Sequence, residues 1–284
     1  MTGLIQRDYL TDKNLLNDVD KLDARVRRME EAIQITEAGY TTTLQNIAGY
    51  YLALPGLRGY WPLTHVDGSG YYLDLGGNGL TLTNNNNVYL YSDGSYISAA
   101  RFVSASSTYL SRADEAAFDI LGTELYVDAP YKGLTVGAWV NCLTLPSSSM
   151  HIISKWLSTG NQRSYALTSA STNRFSWNVS DNGTDSDAVT ATVDSLINTW
   201  YFVVGRYMVA TLEIDLWVND TEYTNTTSIP SSLYSSSANF HLGASGVPDS
   251  YLNGFINHAF VCAMALPDNV IVGLYEKTRL AFGG

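Results

Sequence analysis

From Tyr60 onward the chain alternates apolar and polar residues with a period of two, and that alternation confines it to β-sheet. Leu134, Val136, Ala138, Val140 and Cys142 alternate with Thr135, Gly137, Trp139 and Asn141. Phe175, Trp177 and Val179 alternate with Ser176, Asn178 and Ser180, and Leu212, Ile214, Leu216 and Val218 with Glu213, Asp215, Trp217 and Asn219. Turn-forming clusters such as DGSG, NNNN, SDNGTDSD and NDTEYTNTT bound these runs. One apolar and one polar face per strand predicts antiparallel sheets with one side wet. Many such strands without intervening helices predict a two-sheet sandwich or barrel. One helix is expected late in the chain, from Asp268 to Lys277, on Val270, Ile271 and Leu274.

The first 40 residues obey a different period. Leu15, Leu22 and Met29 recur every seven residues, as do Val19, Val26 and Ile33, and the two sets interleave at spacings of four and three. That is the a/d seam of a coiled coil, with Asp23 and Arg25 on its flanks. The segment 1–40 is therefore expected to be a helical oligomerisation and anchoring segment whose contacts are Leu15, Val19, Leu22, Val26, Met29 and Ile33. A single amphipathic helix lying on the chain's own β domain is the alternative. β-Branched a positions with Leu at d lean toward two strands. Residues 41–57, punctuated by Gly49, Pro55 and Gly56, are expected to be a linker, and 58–284 the β domain.

Composition narrows the partners. A formal net charge of −11 without a clustered basic surface argues against nucleic acid. No run of about 18 apolar residues occurs, so membrane insertion is not expected, and MTGLIQRDYLTDKNLL lacks the apolar core of a secretory signal. Cys142 and Cys262 sit in apolar β-like runs and are expected to be buried thiols. His65, His151, His241 and His258 show no metal-ligand spacing, and no Gly-x-Ser-x-Gly, phosphate loop or His-Glu-x-x-His is present.

Read in order, GYWPLTHVDGSGYYLDLGGNGLTLT (59–83), ARFVSASSTYLSR (100–112), LTVGAWVNC (134–142), NTWYFVVGRY (198–207), LEIDLWVND (212–220) and YLNGFINHAFVCAMAL (251–266) resemble the laminin-G-like, concanavalin A-like lectin and glucanase family. The resemblance covers roughly residues 58–280 and implies a mostly β, two-sheet antiparallel jelly roll, here preceded by the helical coiled-coil segment. With that segment, the chain is similar to virion appendage proteins of phage, fibres or decoration proteins. This implies a homotrimer, against the dimer lean of the heptads, held in a virion by the N-terminal segment. The resemblance places it on the virion surface, made in the host cytoplasm.

The family's glycosidases carry Glu-x-Asp and a second Glu that flank the sugar bond. Here Glu213 and Asp215 are followed by Trp217, Val218 and Asn219, so the second acid is missing. The pair is read as solvated acids on an outer sheet face, and the protein as no enzyme. A glycan hydrolase with an atypical site and a purely architectural protein remain the alternatives. A family calcium site would fall on Asp74 and Asn78 with Asn257 and His258, where the usual acids are absent. No cofactor is expected, and structural calcium is left open. Candidate contacts to cell-surface glycans are Lys155, Trp156, Arg163, Asp181, Asn182, Asp185 and Tyr251. They supply rings and polar forks near predicted loops. The Asn-x-Ser/Thr positions Asn178, Asn182, Asn219 and Asn225 are read as polar turns and strand faces.

Overall fold

The computed structural model describes residues 41–92, 98–122, 128–146, 148–246 and 250–283. The chain divides into two units, Met1–Gln45 and Asn46–Gly284. The heptad positions Leu15 to Ile33 lie outside the described residues.

The first described element, α1 (Thr41–Leu52), corrects the expectation of a linker over 41–57. From Asn46 onward it belongs to the β unit, and Ile47, Tyr51 and Leu52 are buried. Its Gly49 and β-branched residues read as a connector; packing of Tyr51 overrides that local preference.

Fifteen strands follow among the described residues. They run β1 (Leu57–Trp61), β2 (Thr83–Asn85), β3 (Tyr89–Tyr91), β4 (Ala99–Phe102), β5 (Tyr109–Arg112), β6 (Gly133–Cys142), β7 (Met150–Leu157) and β8 (Gln162–Ser169). After these come β9 (Phe175–Val179), β10 (Asp187–Thr190), β11 (Trp200–Met208), β12 (Glu213–Val218), β13 (Thr221–Asn225), β14 (Phe240–Leu242) and β15 (Gly254–Cys262). Helix α2 (Asp268–Thr278) occupies the stretch where one was expected. An eight-stranded sheet runs β13-β12-β11-β6-β15-β4-β3, with β1 also on β15. A seven-stranded sheet runs β10-β9-β8-β7-β14-β5-β2. All pairings between named strands are antiparallel.

The inner faces are the predicted ones. Leu134, Val136, Ala138, Val140 and Cys142 of β6 and Phe175, Trp177 and Val179 of β9 line one continuous core. Each fully buried side chain of this size contributes about 1.5–3 kcal/mol. Gly205 of β11 lies against the Trp177 ring, where a Cβ would collide. Phe118 and Phe240 stack at 4.3 Å, and Trp61 joins them at 5.3 Å from Phe240. Both cysteines are buried, and burial raises the Cys142 thiol to a pKa of about 11.

The expectation of one wet side fails for the eight-stranded sheet. Its outer residues Trp139, Phe202, Arg206, Asp215, Trp217 and Phe260 are all buried. Tyr51 of α1 stacks at 5.0 Å on both Tyr60 and His258. Phe282, just after α2, stacks at 4.2 Å on Trp139. Helical cover from both ends of the unit is tertiary information that strand alternation does not carry. Leu212 also departs from its predicted strand: it sits in the β11–β12 turn at φ +51° and is exposed.

Candidate functional site

At one end of the seven-stranded sheet, two hairpins and a crossing segment converge. The β7–β8 turn closes through Gly160 (φ +83°) and Asn161 (φ +55°). In the β9–β10 turn, Asn182 Oδ1 accepts the amides of Thr184 and Asp185 at 2.8 and 2.9 Å, an Asx turn that its short side chain favours. Gly183 joins the two turns. Its carbonyl accepts Arg163 N–H at 3.3 Å, and at φ +80° a Cβ would strike the Asn161 carbonyl. The segment around Ser236 binds the same hairpin: Ser236 Oγ donates to the Gln162 carbonyl at 2.7 Å, and Gln162 Oε1 accepts Ser237 N–H at 2.8 Å.

On this scaffold Trp156 and Arg163 face each other across β7 and β8, with the guanidinium 5.8 Å over the indole. Asp181, Asn182 and Asp185 are exposed on the adjoining turn. Nearby Asp187 has a raised pKa, first from burial and then from the charges of Asp181 and Asp185. The structure thus brings together Trp156, Arg163, Asp181, Asn182 and Asp185. They form a ring platform, a fork of donors and a set of acceptors, the chemistry that holds a polyhydroxylated ligand.

Two candidates fall elsewhere. Lys155 is corrected: it is 0% exposed and turned inward. Its ammonium donates to Asp114 at 2.5 Å and to the carbonyls of Ser236 and Ala238 at 2.5 and 3.0 Å, with Asp119 at 3.3 Å. The cause is a bulge between His151 and Ile153, after which Ile153 and Lys155 pair with Leu167 and Tyr165 on the inner face. Tyr251 packs with Tyr109 at 6.2 Å, and Tyr109 with His241 at 5.5 Å. Tyr109 and His241 were not singled out from the sequence; only pairing of β5 with β14 joins them.

The acidic pair is corrected at Asp215, while Glu213 stays partly exposed. Asp215 is not solvated but 0% exposed: its Oδ2 accepts Arg206 Nε–H at 2.8 Å and its Oδ1 the Thr224 hydroxyl at 2.8 Å. The same guanidinium reaches Asp268 at 2.5 Å and Glu222 at 3.0 Å. Burial would lower the Arg206 pKa, but Asp215 and Asp268 prevail and raise it. A 410 Å³ hollow beside Arg206, Tyr131 and Asp268 is therefore floored by a cation whose donors are already engaged.

The residues of the family's calcium position have other partners. Asp74 accepts the backbone N–H groups of Tyr60, Gly76, Asn78 and Leu80 at 2.7–3.1 Å. Asn78 donates to the Arg58 carbonyl, Asn257 to that of Ser98, and His258 Nδ1 pairs with the Tyr60 hydroxyl at 2.6 Å. These groups do not make an oxygen cage for a hard cation. Among the described residues no group of three His, Cys, Asp or Glu side chains is poised to hold a metal ion, and no helix is long and apolar enough to cross a membrane.

Comparison with known proteins bears on this geometry. No curated protein sequence matches the chain. Among solved structures, the binding domain of Paraclostridial mosquitocidal protein 1 superposes with a TM-score of 0.58 at 13% identity, over 78% of this chain and 52% of that one. The receptor-binding domain of botulinum neurotoxin type G gives 0.54 at 12% identity, over 78% and 51%. The ligand-binding domain of botulinum neurotoxin serotype D, solved with N-acetylneuraminic acid, gives 0.56 at 13%, over 84% and 55%. The chain thus spans about half the length of these structures, and the likeness is one of fold. A family model of laminin G type, described as the concanavalin A-like lectin/glucanases superfamily, matches residues 121–271, just over half of the chain. With the two antiparallel sheets in place around that region, the chain belongs to the concanavalin A-like lectin/glucanase superfamily.

Proposed function

We propose that the protein is a non-catalytic receptor-binding module of a virion, whose jelly roll contacts cell-surface saccharides and whose N-terminal heptads gather it into a homotrimer. The observation that carries this reading is the Trp156–Arg163 stack beside the Asn182 turn, where a ring, a cation fork and amide and carboxylate acceptors meet at loop tips. The likeness to toxin receptor-binding domains supports it, one of them solved with a sialic acid and another with rat synaptotagmin II. The engagement of Asp215 by Arg206 supports the absence of hydrolysis, because a carboxylate held as an ion-pair partner is not free to attack or to carry a proton. Three sites per particle unit would offset weak single contacts, adding a factor of about 10²–10⁴ in avidity.

A glycan array probed with the full chain tests the reading. Binding is expected, and Trp156→Ala is expected to weaken it about tenfold, the loss of one ring contact. No binding to any saccharide sinks it. Sedimentation of the intact chain and of a chain beginning at Thr41 tests the assembly. The first should be trimeric and the second monomeric, whereas two monomers dispose of the heptad reading. Capsid or tail genes beside this one would support the virion placement, and their absence from a complete genome segment would count against it.

A further inference from the structure

The outer face of the eight-stranded sheet carries an arrangement that the loop site does not use. Strand register sets Trp200 of β11 opposite Asn141 of β6, and Asn141 opposite Phe255 of β15. Phe255 in turn lies opposite Arg101 of β4, and Arg101 opposite Tyr89 of β3. Their strand neighbours Val140, Ile256 and Ala100 lie in the core, so all five side chains project outward. Ring, amide, ring, guanidinium and ring alternate across five strands. With strands about 4.8 Å apart, the ring-bearing backbone positions recur about every 10 Å and the row is about 19 Å long.

The row is open away from its Trp200 end, where Phe282 meets the indole edge-on at 5.1 Å. Phe282 and Tyr275 cover the neighbouring row at Trp139 and Phe202. Tyr89 and Tyr91, in contrast, are 42% and 46% exposed, and Trp200, Phe255 and Arg101 are half-buried. Tyr91 sits opposite Ala99, whose small side chain lets the ring lie 5.3 Å from Phe255. Arg101 lies 5.3 Å over Phe255 and is steadied by the Asn253 side chain at 2.9 Å. Between Trp200 and Phe255, whose centroids are 6.2 Å apart, Asn141 is 8% exposed. Its Oδ1 has no hydrogen-bond partner among the described residues. Buried acceptors are rarely left open, and an unsatisfied one in a native structure calls for a donor from water or from a bound molecule. Past Trp200 the row meets a cleft of about 330 Å³ between Tyr275 and Phe282, rimmed by Asn198 and Asn219.

We propose that this row is a second binding surface, which takes an extended oligosaccharide lengthwise across the strands. The inference rests on the reading that the protein binds saccharides, and it names where a chain of several sugars would lie. Sugar rings offer apolar C–H faces to Trp200, Phe255 and Tyr89, and hydroxyls to Asn141 and Arg101. A protein partner would fit a contiguous apolar patch better than rings divided by polar forks at every second strand.

The test is a titration of the full chain with linear glucose, N-acetylglucosamine and galacturonate oligomers of two to six units, followed by Trp fluorescence. Affinity should rise with length. Tyr89→Ala and Phe255→Ala should each weaken the hexamer about tenfold. Asn141→Leu should weaken it while leaving thermal stability equal or higher, because the orphaned acceptor is gone; a merely structural Asn141 would show the reverse. Tyr89 is an exposed edge residue, so its variant reads binding apart from folding. Unchanged hexamer affinity in the row variants, with loss in Trp156→Ala, overturns the row and leaves the loop site standing. Loss in the row variants alone keeps the row and removes the loop site. Failure of every oligomer and of the glycan array removes both, and binding of peptides at the row instead of sugars hands it to a protein partner.

Discussion

The two outer faces of the sandwich are built on matching inner faces and could hardly differ more. Across the seven-stranded sheet the outward row reads Ala188, Asn178, Ala166, Ser154, His241, Ser111 and Thr83. Across the eight-stranded sheet a comparable row reads Trp200, Asn141, Phe255, Arg101 and Tyr89. Mostly small residues make the first face, and its centre is covered as well: Ala166, Ser154 and His241 are buried. The segment after Gly243 folds over β7, where the Ala244 carbonyl accepts Ser154 Oγ–H at 2.7 Å and Gly246 N–H reaches the Trp156 carbonyl at 2.6 Å. Large rings and a buried guanidinium need more, and α1 and the end of α2 supply it. A sheet face made of Ser, Thr, Asn and Ala can be closed by a loop laid across its centre. A face with rings and ions implies cover, a ligand, or both.

The contrast can be broken in order of expected effect. Arg206→Met leaves the fully buried Asp215 charge unpaired beside Glu222 and Asp268, and should cost about 3–5 kcal/mol in urea unfolding. A cost near zero would mean that the ion network is not what holds that face.

Acid acts on both faces through one histidine each. Burial lowers the His258 pKa to about 3, and burial, partly opposed by a hydrogen bond to the Asn239 carbonyl, lowers that of His241 to about 4. Both are neutral when folded and take up protons when unfolded below about pH 6.5. The unfolded state then binds more protons, so stability is full above that pH and falls as pH drops toward 4. By pH 5 the loss is about 2 kcal/mol per histidine. His241→Asn and His258→Phe should each remove one share of the slope, and an unchanged slope in both refutes the assignment.

Phe282→Ala opens the cover on Trp139 and should cost about 3 kcal/mol with a red-shifted Trp emission. Ser154→Ala, on the plainer face, removes one buried hydrogen bond and should cost about 1 kcal/mol. Equal costs for these two would erase the distinction between a face roofed by rings and one closed by a loop.

Much of this fold was legible in the residues. The alternations in β6, β9 and β12 and the α2 pattern give inner faces and a helix within a residue or two of their places. Asn219 and Asn225 are the polar turn residues their context suggests: Asn219 stands at φ +59° with its Oδ1 accepting Phe202 N–H, and Asn225 Oδ1 accepts Thr227 N–H. Of the site, Trp156, Arg163 and the 181–185 turn were legible because rings and forks beside turn clusters are local signals. Lys155 was not, because a one-residue bulge reverses every side chain beyond it without a mark in composition. Asp215 was not, because its partner Arg206 is defined by cross-strand register. The five-residue row escaped for the same reason, its members lying in five segments from Tyr89 to Phe255.

Alternation and turn chemistry thus determined, from the sequence alone, that the chain makes antiparallel strands with particular apolar faces. Those are properties of neighbours along the chain, set by sterics and burial at a period of two. The tertiary structure decided which outward residues stand side by side, which are roofed by helices, and which are left facing solvent. Those depend on register between distant strands, and a shift of one residue would send each of them to the other face.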